Sequence, residues 1–201
     1  MIRGILLDYG GVMATGGKGA DLASRVAGEV GLSASDTKTF LAPLWRKMTR
    51  GTLTTDQFWT AIETHQNQSI SDTQRHSWDD WWSTELRPEM VSLVETLKQQ
   101  GYPVGLLSNI IPGAAEVICA AGSYDIFDFT VLSYEVGCAK PEPEIYDLAL
   151  SHFTDIQSEE VVFIDDQQKC MPPAQALGIH TIIATSSEQI IADLRKLDVA
   201  V

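Results

Sequence analysis

Three short apolar runs in this chain end abruptly in polar residues. Ile-Leu-Leu runs into Asp8, Gly-Leu-Leu into Ser108-Asn109, and Val-Val-Phe-Ile into Asp165-Asp166. An apolar run of this length without polar alternation fits a strand buried on both faces, and therefore a parallel sheet covered by helices. With two further runs the set is residues 2–7, 104–107, 129–132, 161–164 and 181–184. Helical spacing fills the intervals. Met90, Leu93, Val94 and Leu97 recur at i, i+3, i+4 and i+7, and Gly101 offers a C-terminal stop. Ile145, Leu148 and Ala149 mark a second helix opened by Pro141-Glu-Pro143, and Ile190, Leu194 and Leu197 a last one. Strands alternating with helices predict a doubly wound α/β fold on a parallel five-stranded sheet.

Residues 15–84 break this rhythm. They hold amphipathic helical stretches and no convincing strand, so they read as an all-helical module inserted after the first strand. The expected organisation is a core of residues 1–14 and 85–201 and a helical cap of residues 15–84. Trp45, Trp59, Trp78, Trp81 and Trp82 all fall inside the insert. Either they fill the module's own core, or one or two face the site or a partner subunit. Arg50-Gly51-Thr52 reads as a loop between two of its helices.

The chain has 201 residues and a formal net charge of −13. Such a charge repels nucleic acid and anionic lipid, so neither is an expected partner. It repels a phosphorylated substrate as well, so a phosphate site here depends on local cations. Residues 4–7 are too short for a signal sequence or a membrane span. Cys119, Cys138 and Cys170 lack paired spacing and read as free thiols of a cytoplasmic protein, acting as small buried hydrophobes.

In open α/β sheets, ligands bind at the carboxyl ends of the strands. That rule brings Asp8, Ser108-Asn109 and Asp165-Asp166 to one rim, with Lys140-Pro141 in the loop after the third strand. Three crowded carboxylates repel one another, and a hard divalent cation relieves this; magnesium prefers a few carboxylates, waters and phosphate oxygens. Lys140 supplies a further positive charge, able to hold Asp8 and a phosphoryl oxygen together. Ser108 and neighbouring backbone N–H groups can donate to a phosphoryl group. A carboxylate in that setting is a plausible covalent nucleophile.

Asp8-Tyr-Gly-Gly-Val12, Leu-Ser108-Asn109, Ala-Lys140-Pro-Glu-Pro-Glu-Ile-Tyr146 and Phe-Ile-Asp165-Asp166 resemble, in order, the four motifs of the haloacid dehalogenase (HAD) superfamily. The resemblance covers nearly the whole chain, and the helical insert sits where members with a first-position cap carry theirs. It implies that Asp8 is the nucleophile, that Ser108 and Lys140 bind the phosphoryl group, and that Lys140 orients Asp8. It also implies magnesium held by Asp8, the Gly10 carbonyl, Asp165 and Asp166, with Asn109 and the Gly10–Gly11 backbone lining the pocket. The implied partner is a small phosphorylated metabolite, and the chain would be a monomer or homodimer.

Two positions depart from the family pattern. Gly10 stands where a second Asp usually serves as general acid and base, although a glycine also occurs in a branch resembling sugar-phosphate phosphatases. Cys170 stands where that branch often has Asn. The expected function is a magnesium-dependent phosphatase. The alternatives are a weakly active or non-catalytic phosphate-binding regulator, suggested by Gly10, and a metal-independent 2-haloacid dehalogenase, against which Asp165-Asp166 argues.

Overall fold

A computed structural model describes residues 1–15, 19–76, 82 and 85–201, with residues 19–23 as backbone only. Its strands are β1 (Gly4–Leu7), β2 (Val104–Ser108), β3 (Phe129–Leu132), β4 (Val161–Asp165) and β5 (His180–Ile183). Between β1 and β2 come helices α1 (Gly19–Glu29), α2 (Ala34–Asp36), α3 (Ala42–Thr49), α4 (Thr55–Gln66), α5 (Asp72–His76) and α6 (Pro88–Gln99). Then follow α7 (Pro112–Ala120), α8 (Ser133–Val136), α9 (Pro143–Leu150), α10 (Met171–Ala176) and α11 (Ser187–Lys196).

All neighbouring strands are parallel, in the order β3-β2-β1-β4-β5. Alternate side chains serve opposite faces. Ile5, Leu7, Leu106, Val162 and Ile164 join one buried cluster, while Leu6, Leu107, Val131 and Phe163 join the other. Helices α6, α7 and α11 cover the first face, and α9 and α10 the second. Coverage on both sides is why these strands read as unbroken apolar runs.

Strand ends differ from expectation in an informative way. β1 starts at Gly4 rather than residue 2, and β5 lies one residue earlier than expected. β2 and β4 run one residue further, so Ser108 pairs with Leu132 and Asp165 with Ile183. The polar end residues are therefore still gripped by the ladder.

The described part of the insert is helical. Ala34–Asp36, a π-turn over Thr37–Leu41 and Ala42–Thr49 follow one another without a break. The wide turn has a local cause, since Pro43 has no N–H and its ring would crowd the carbonyl one turn back. The bond from the Ala42 N–H to the Thr37 carbonyl opens the helix just before it. Helix α4 starts at a capping box in which Thr54 and Gln57 satisfy each other's backbone N–H.

Trp59 and Trp82 are buried, and Trp45 packs on Phe58 and Trp82 at ring separations of 6.2 and 6.4 Å. These residues share one apolar cluster with the β1 face, so they fill a core continuous with that of the sheet rather than one of the insert's own. Trp78 and Trp81 lie outside the described residues. The chain leaves for the insert and returns from it at one place: Ala14 bridges Leu86, and the Arg87 N–H donates to the Met13 carbonyl at 2.8 Å. No helix among the described residues is long and apolar enough to cross a membrane. The cysteines are free. Only Cys170 is buried, and Cys119 is exposed on the outer side of α7, contrary to the expectation of burial for all three.

Candidate active site

The strand order reverses direction at β1 and β4, the place where open α/β sheets form their ligand crevice. Asp8 directly follows β1, and its N–H donates to the Ile164 carbonyl at 2.9 Å. Asp165 closes β4, and its Oδ1 accepts the Gln167 N–H at 2.7 Å. Lys140, on the loop between α8 and α9, reaches into the gap. Its Nζ donates to the Leu107 carbonyl at 2.8 Å, lies 2.8 Å from Asp8 Oδ1 and 2.6 Å from Asp165 Oδ2. An ammonium has three donors, and these partners account for all of them. Asp8, Lys140 and Asp165 are all buried, so neither the charges nor their geometry is loosened by water.

Burial is the main influence on Asp8 and pushes its carboxyl up to about 6; Lys140 pulls it down, and Asp165 pushes it up. For Lys140, burial disfavours the ammonium, but the Asp8 and Asp165 carboxylates outweigh it and hold the amine well above its ordinary range. Lys140 therefore stays charged at neutral pH.

Carboxylate oxygens of Asp8, Asp165 and Asp166 lie within 4.8 Å of one another. Three carboxylates face one ammonium, and this hard all-oxygen donor set suits a small divalent cation. Gly11 shapes the same spot. It has φ +83°, and a Cβ there would stand 2.5 Å from Asp166 Oδ2. Only a residue without a side chain lets the Asp166 carboxylate come down on this turn. The turn is tied tightly, with the Met13 and Ala14 N–H groups both donating to the Tyr9 carbonyl and Gly10 bridged to Ala14.

Ser108 is buried at the end of β2, on the same rim, just before the loop into the N-terminus of α7. Asn109 is brought close but its side chain is engaged. Nδ2 donates to the Lys140 carbonyl at 2.7 Å, and Oδ1 accepts the Lys140 N–H at 2.8 Å. Where the sequence reading expects pocket lining, the structure shows Asn109 fixing the backbone of Lys140. Buried Ser133 ties the neighbouring loop, accepting from the Ile110 N–H at 3.0 Å and donating to its carbonyl at 3.1 Å. Nothing in the local sequence singles Ser133 out, because its partner comes from the adjacent strand's loop.

Cys170 is accommodated in the core, where burial pushes its thiol up to about 12. Its carbonyl accepts the Tyr146 hydroxyl at 2.8 Å, which links the Lys140 segment to the loop after Asp165-Asp166. His65 stacks on Phe40 at 4.0 Å and lies 3.5 Å from Asp36, both within the insert. A cavity of about 390 Å³ on the insert is lined by Pro43, Arg46, Lys47, Arg50 and Thr52. None of the three clustered carboxylates lines it; they lie at the strand ends.

The haloacid dehalogenase-like hydrolase family profile matches residues 2–178. The chain is 33% identical over 115 residues to the sesquiterpene phosphatase of Aspergillus oryzae, covering 56% of this chain and 58% of that protein. It is 32% identical over 115 residues to bifunctional epoxide hydrolase 2 of Sus scrofa, covering 54% of this chain and 20% of that enzyme. The matches thus span less than two thirds of either relative. Among solved structures, a HAD family enzyme from Bacteroides thetaiotaomicron, in complex with magnesium and inorganic phosphate, superposes with a TM-score of 0.74. That pair is 28% identical, with 92% of this chain and 95% of the other covered.

Proposed function

Since the chain belongs to the haloacid dehalogenase-like hydrolases, we propose that it is a magnesium-dependent phosphatase that hydrolyses small phosphomonoesters through an aspartyl-phosphate on Asp8. One observation carries this reading. A buried lysine is locked between Asp8 and Asp165, while Asp166 brings a third carboxylate to the same place.

In this reading Asp8, the Gly10 carbonyl, Asp165 and Asp166 would hold the cation, which would neutralise charge on the phosphoryl oxygens. Asp8 attacks phosphorus in line with the departing ester oxygen. The new bond joins a carboxylate oxygen to phosphorus, and the P–O bond to the leaving group breaks. Lys140 holds Asp8 in place and faces the negative charge of the phosphoryl group, and Ser108 and the Gly10 N–H supply hydrogen bonds; the Gly11 N–H is taken by the Ala14 carbonyl at 2.9 Å, so Gly11 serves by leaving room for Asp166. Water then attacks the aspartyl-phosphate, releasing phosphate and restoring Asp8. Residues 1–14 and 85–201 would form the catalytic core and residues 15–84 the cap, with the Ala14–Leu86 bridge as the joint between them.

The sesquiterpene phosphatase among the relatives and the magnesium and phosphate in the Bacteroides structure support this chemistry. A dehalogenase has no need of the clustered acidic pair. The test is a panel of phosphorylated metabolites assayed for phosphate release with and without magnesium, beside 2-haloacids assayed for halide. Halide release, or phosphate release unaffected by chelator, would overturn it.

A further inference from the structure

We propose that Arg50, on the loop between α3 and α4, is a positioning residue for Lys140, holding the lysine's loop through Glu142. The inference builds on the proposed phosphatase reading.

Arg50 reaches out of the helical insert to a residue 92 positions away. Its Nε donates to Glu142 Oε1 at 3.1 Å, and its Nη2 makes a short contact with the same oxygen. The other oxygen of Glu142 accepts the Ala139 N–H at 2.9 Å. Glu142 thus has one oxygen on the insert and the other on the residue before Lys140. From the opposite side, Asn109 binds both the N–H and the carbonyl of Lys140. The lysine's backbone is clamped between Asn109, just after β2, and a residue whose far end depends on Arg50.

The next residue shows that the contact is built in. Gly51 has φ +64°, and a Cβ on it would stand 2.0 Å from the Tyr134 carbonyl. The loop therefore descends to backbone contact on α8, and only glycine permits that approach. Tyr134 follows Ser133, whose hydroxyl anchors Ile110, just beyond Ser108-Asn109. One loop of the insert thus touches Glu142, beside the Lys140 segment, and the turn of α8 whose Ser133 ties the loop after Ser108.

Stability does not account for the Arg50–Glu142 pair. Its side chains are about one third exposed, at 33% and 35%, and pairs this open to water add little to stability. Its consequence is geometric: when the insert is seated, Glu142 is drawn into the position that fixes Ala139. Lys140 has no freedom to adjust, because all three of its donors are committed.

The experiment compares wild type with Arg50→Ala, Arg50→Lys, Glu142→Gln and the Arg50→Ala/Glu142→Gln double variant. Two readouts are taken, amide hydrogen exchange and steady-state kinetics. For Arg50→Ala we expect faster exchange over residues 137–142, unchanged exchange over β1 and β4, and an unchanged melting temperature. We expect kcat to fall on the order of ten- to a hundredfold with KM little changed, as for a catalytic group displaced by a fraction of an ångström. Arg50→Lys should recover part of the loss, and the double variant should be no worse than the poorer single variant. Unaltered exchange at residues 137–142, or kinetic losses that simply add, would overturn the proposal. If wild type proves inactive on every phosphate ester, the phosphatase reading falls, while the exchange data still decide whether Arg50 holds the lysine's loop.

Discussion

Asn109 and Lys140 hold each other at the backbone: the amide nitrogen of Asn109 donates to the Lys140 carbonyl at 2.7 Å, and the Lys140 N–H donates back to Oδ1 at 2.8 Å. Asn109→Ala should break both bonds and leave the buried ammonium attached only through its side chain. The expected result is a kcat reduced on the order of ten- to a hundredfold with the fold intact by circular dichroism. Asn109→Asp keeps an acceptor for the Lys140 N–H, loses the donor, and should fall between the two. Equal activity in wild type and Asn109→Ala would show that the clamp has no catalytic consequence.

This clamp marks the limit of what the sequence discloses. Asp8, Ser108 and Asp165 are legible because each is a polar residue ending an apolar run, and the sheet ladder then fixes their direction. Lys140 is different. Two of its partners lie 25 and 33 residues away and the third, Asp8, near the other end of the chain, and only the order of motifs points to it. Arg50 and Glu142 carry no local signal at all, since their meeting depends on how the insert folds back. Helix α7 carries no clear helical period because its Ala-rich segment has little amphipathic contrast, and α8 is one turn long. The exposed Cys119 has the same origin: residue type alone does not reveal which side of α7 faces out.

Gly11→Ala should damage the cation site more than the fold. The substitution puts a methyl group on a left-handed residue and against Asp166 Oδ2. The backbone conformation alone costs about 1–3 kcal/mol, and the carboxylate must move as well. Calorimetric titration with magnesium should show weaker binding than in wild type, with residual folding retained in thermal melts. Wild-type affinity for magnesium would argue against Asp166 as a ligand.

The buried charge of Asp8 predicts a pH signature in metal-free protein. Its carboxyl is raised from 3.8 to about 6 in the fold, so between these values the native state binds a proton that the unfolded chain does not. Ionisation of Asp8 therefore costs stability as pH rises through that window, and the cost is fully present above about 6. Asp8→Asn has no such titration. Denaturant unfolding of both proteins should show Asp8→Asn gaining on wild type as pH rises from 4 to 7. A gap that stays constant would mean that Asp8 ionises normally.

Lys140→Met removes the ammonium while keeping a similar length. The carboxylates of Asp8, Asp165 and Asp166 then face one another without it. Breaking a buried pair typically costs about 3–5 kcal/mol, so metal-free Lys140→Met should melt well below wild type. Added magnesium should recover more of the melting temperature in the variant than it adds to wild type, because the cation then offsets charge that nothing else balances. An equal shift in both proteins would place magnesium away from these carboxylates.

The leaving group of a phosphate ester needs a proton as it departs. General acid–base catalysis typically contributes about 10²–10⁴-fold, and Gly10 offers no side chain to supply it. His65 is occupied with Phe40 and Asp36 inside the insert, and the neighbouring Lys140 donors are all committed. An ester whose oxygen departs as a stable anion needs the proton least. A sugar 1-phosphate, with its hemiacetal leaving group, or an aryl phosphate should therefore turn over faster than a simple alkyl phosphate. Measured across monoesters of graded leaving-group pKa, wild-type kcat/KM should fall steeply as that pKa rises. Gly10→Asp places a carboxyl at the position where related enzymes carry their acid, and its dependence should be shallower, with the largest gain on alkyl esters. A flat wild-type profile with good alkyl turnover would mean that another group already delivers the proton, and the search for it would move to the insert, where His76 ends α5 with its side chain exposed.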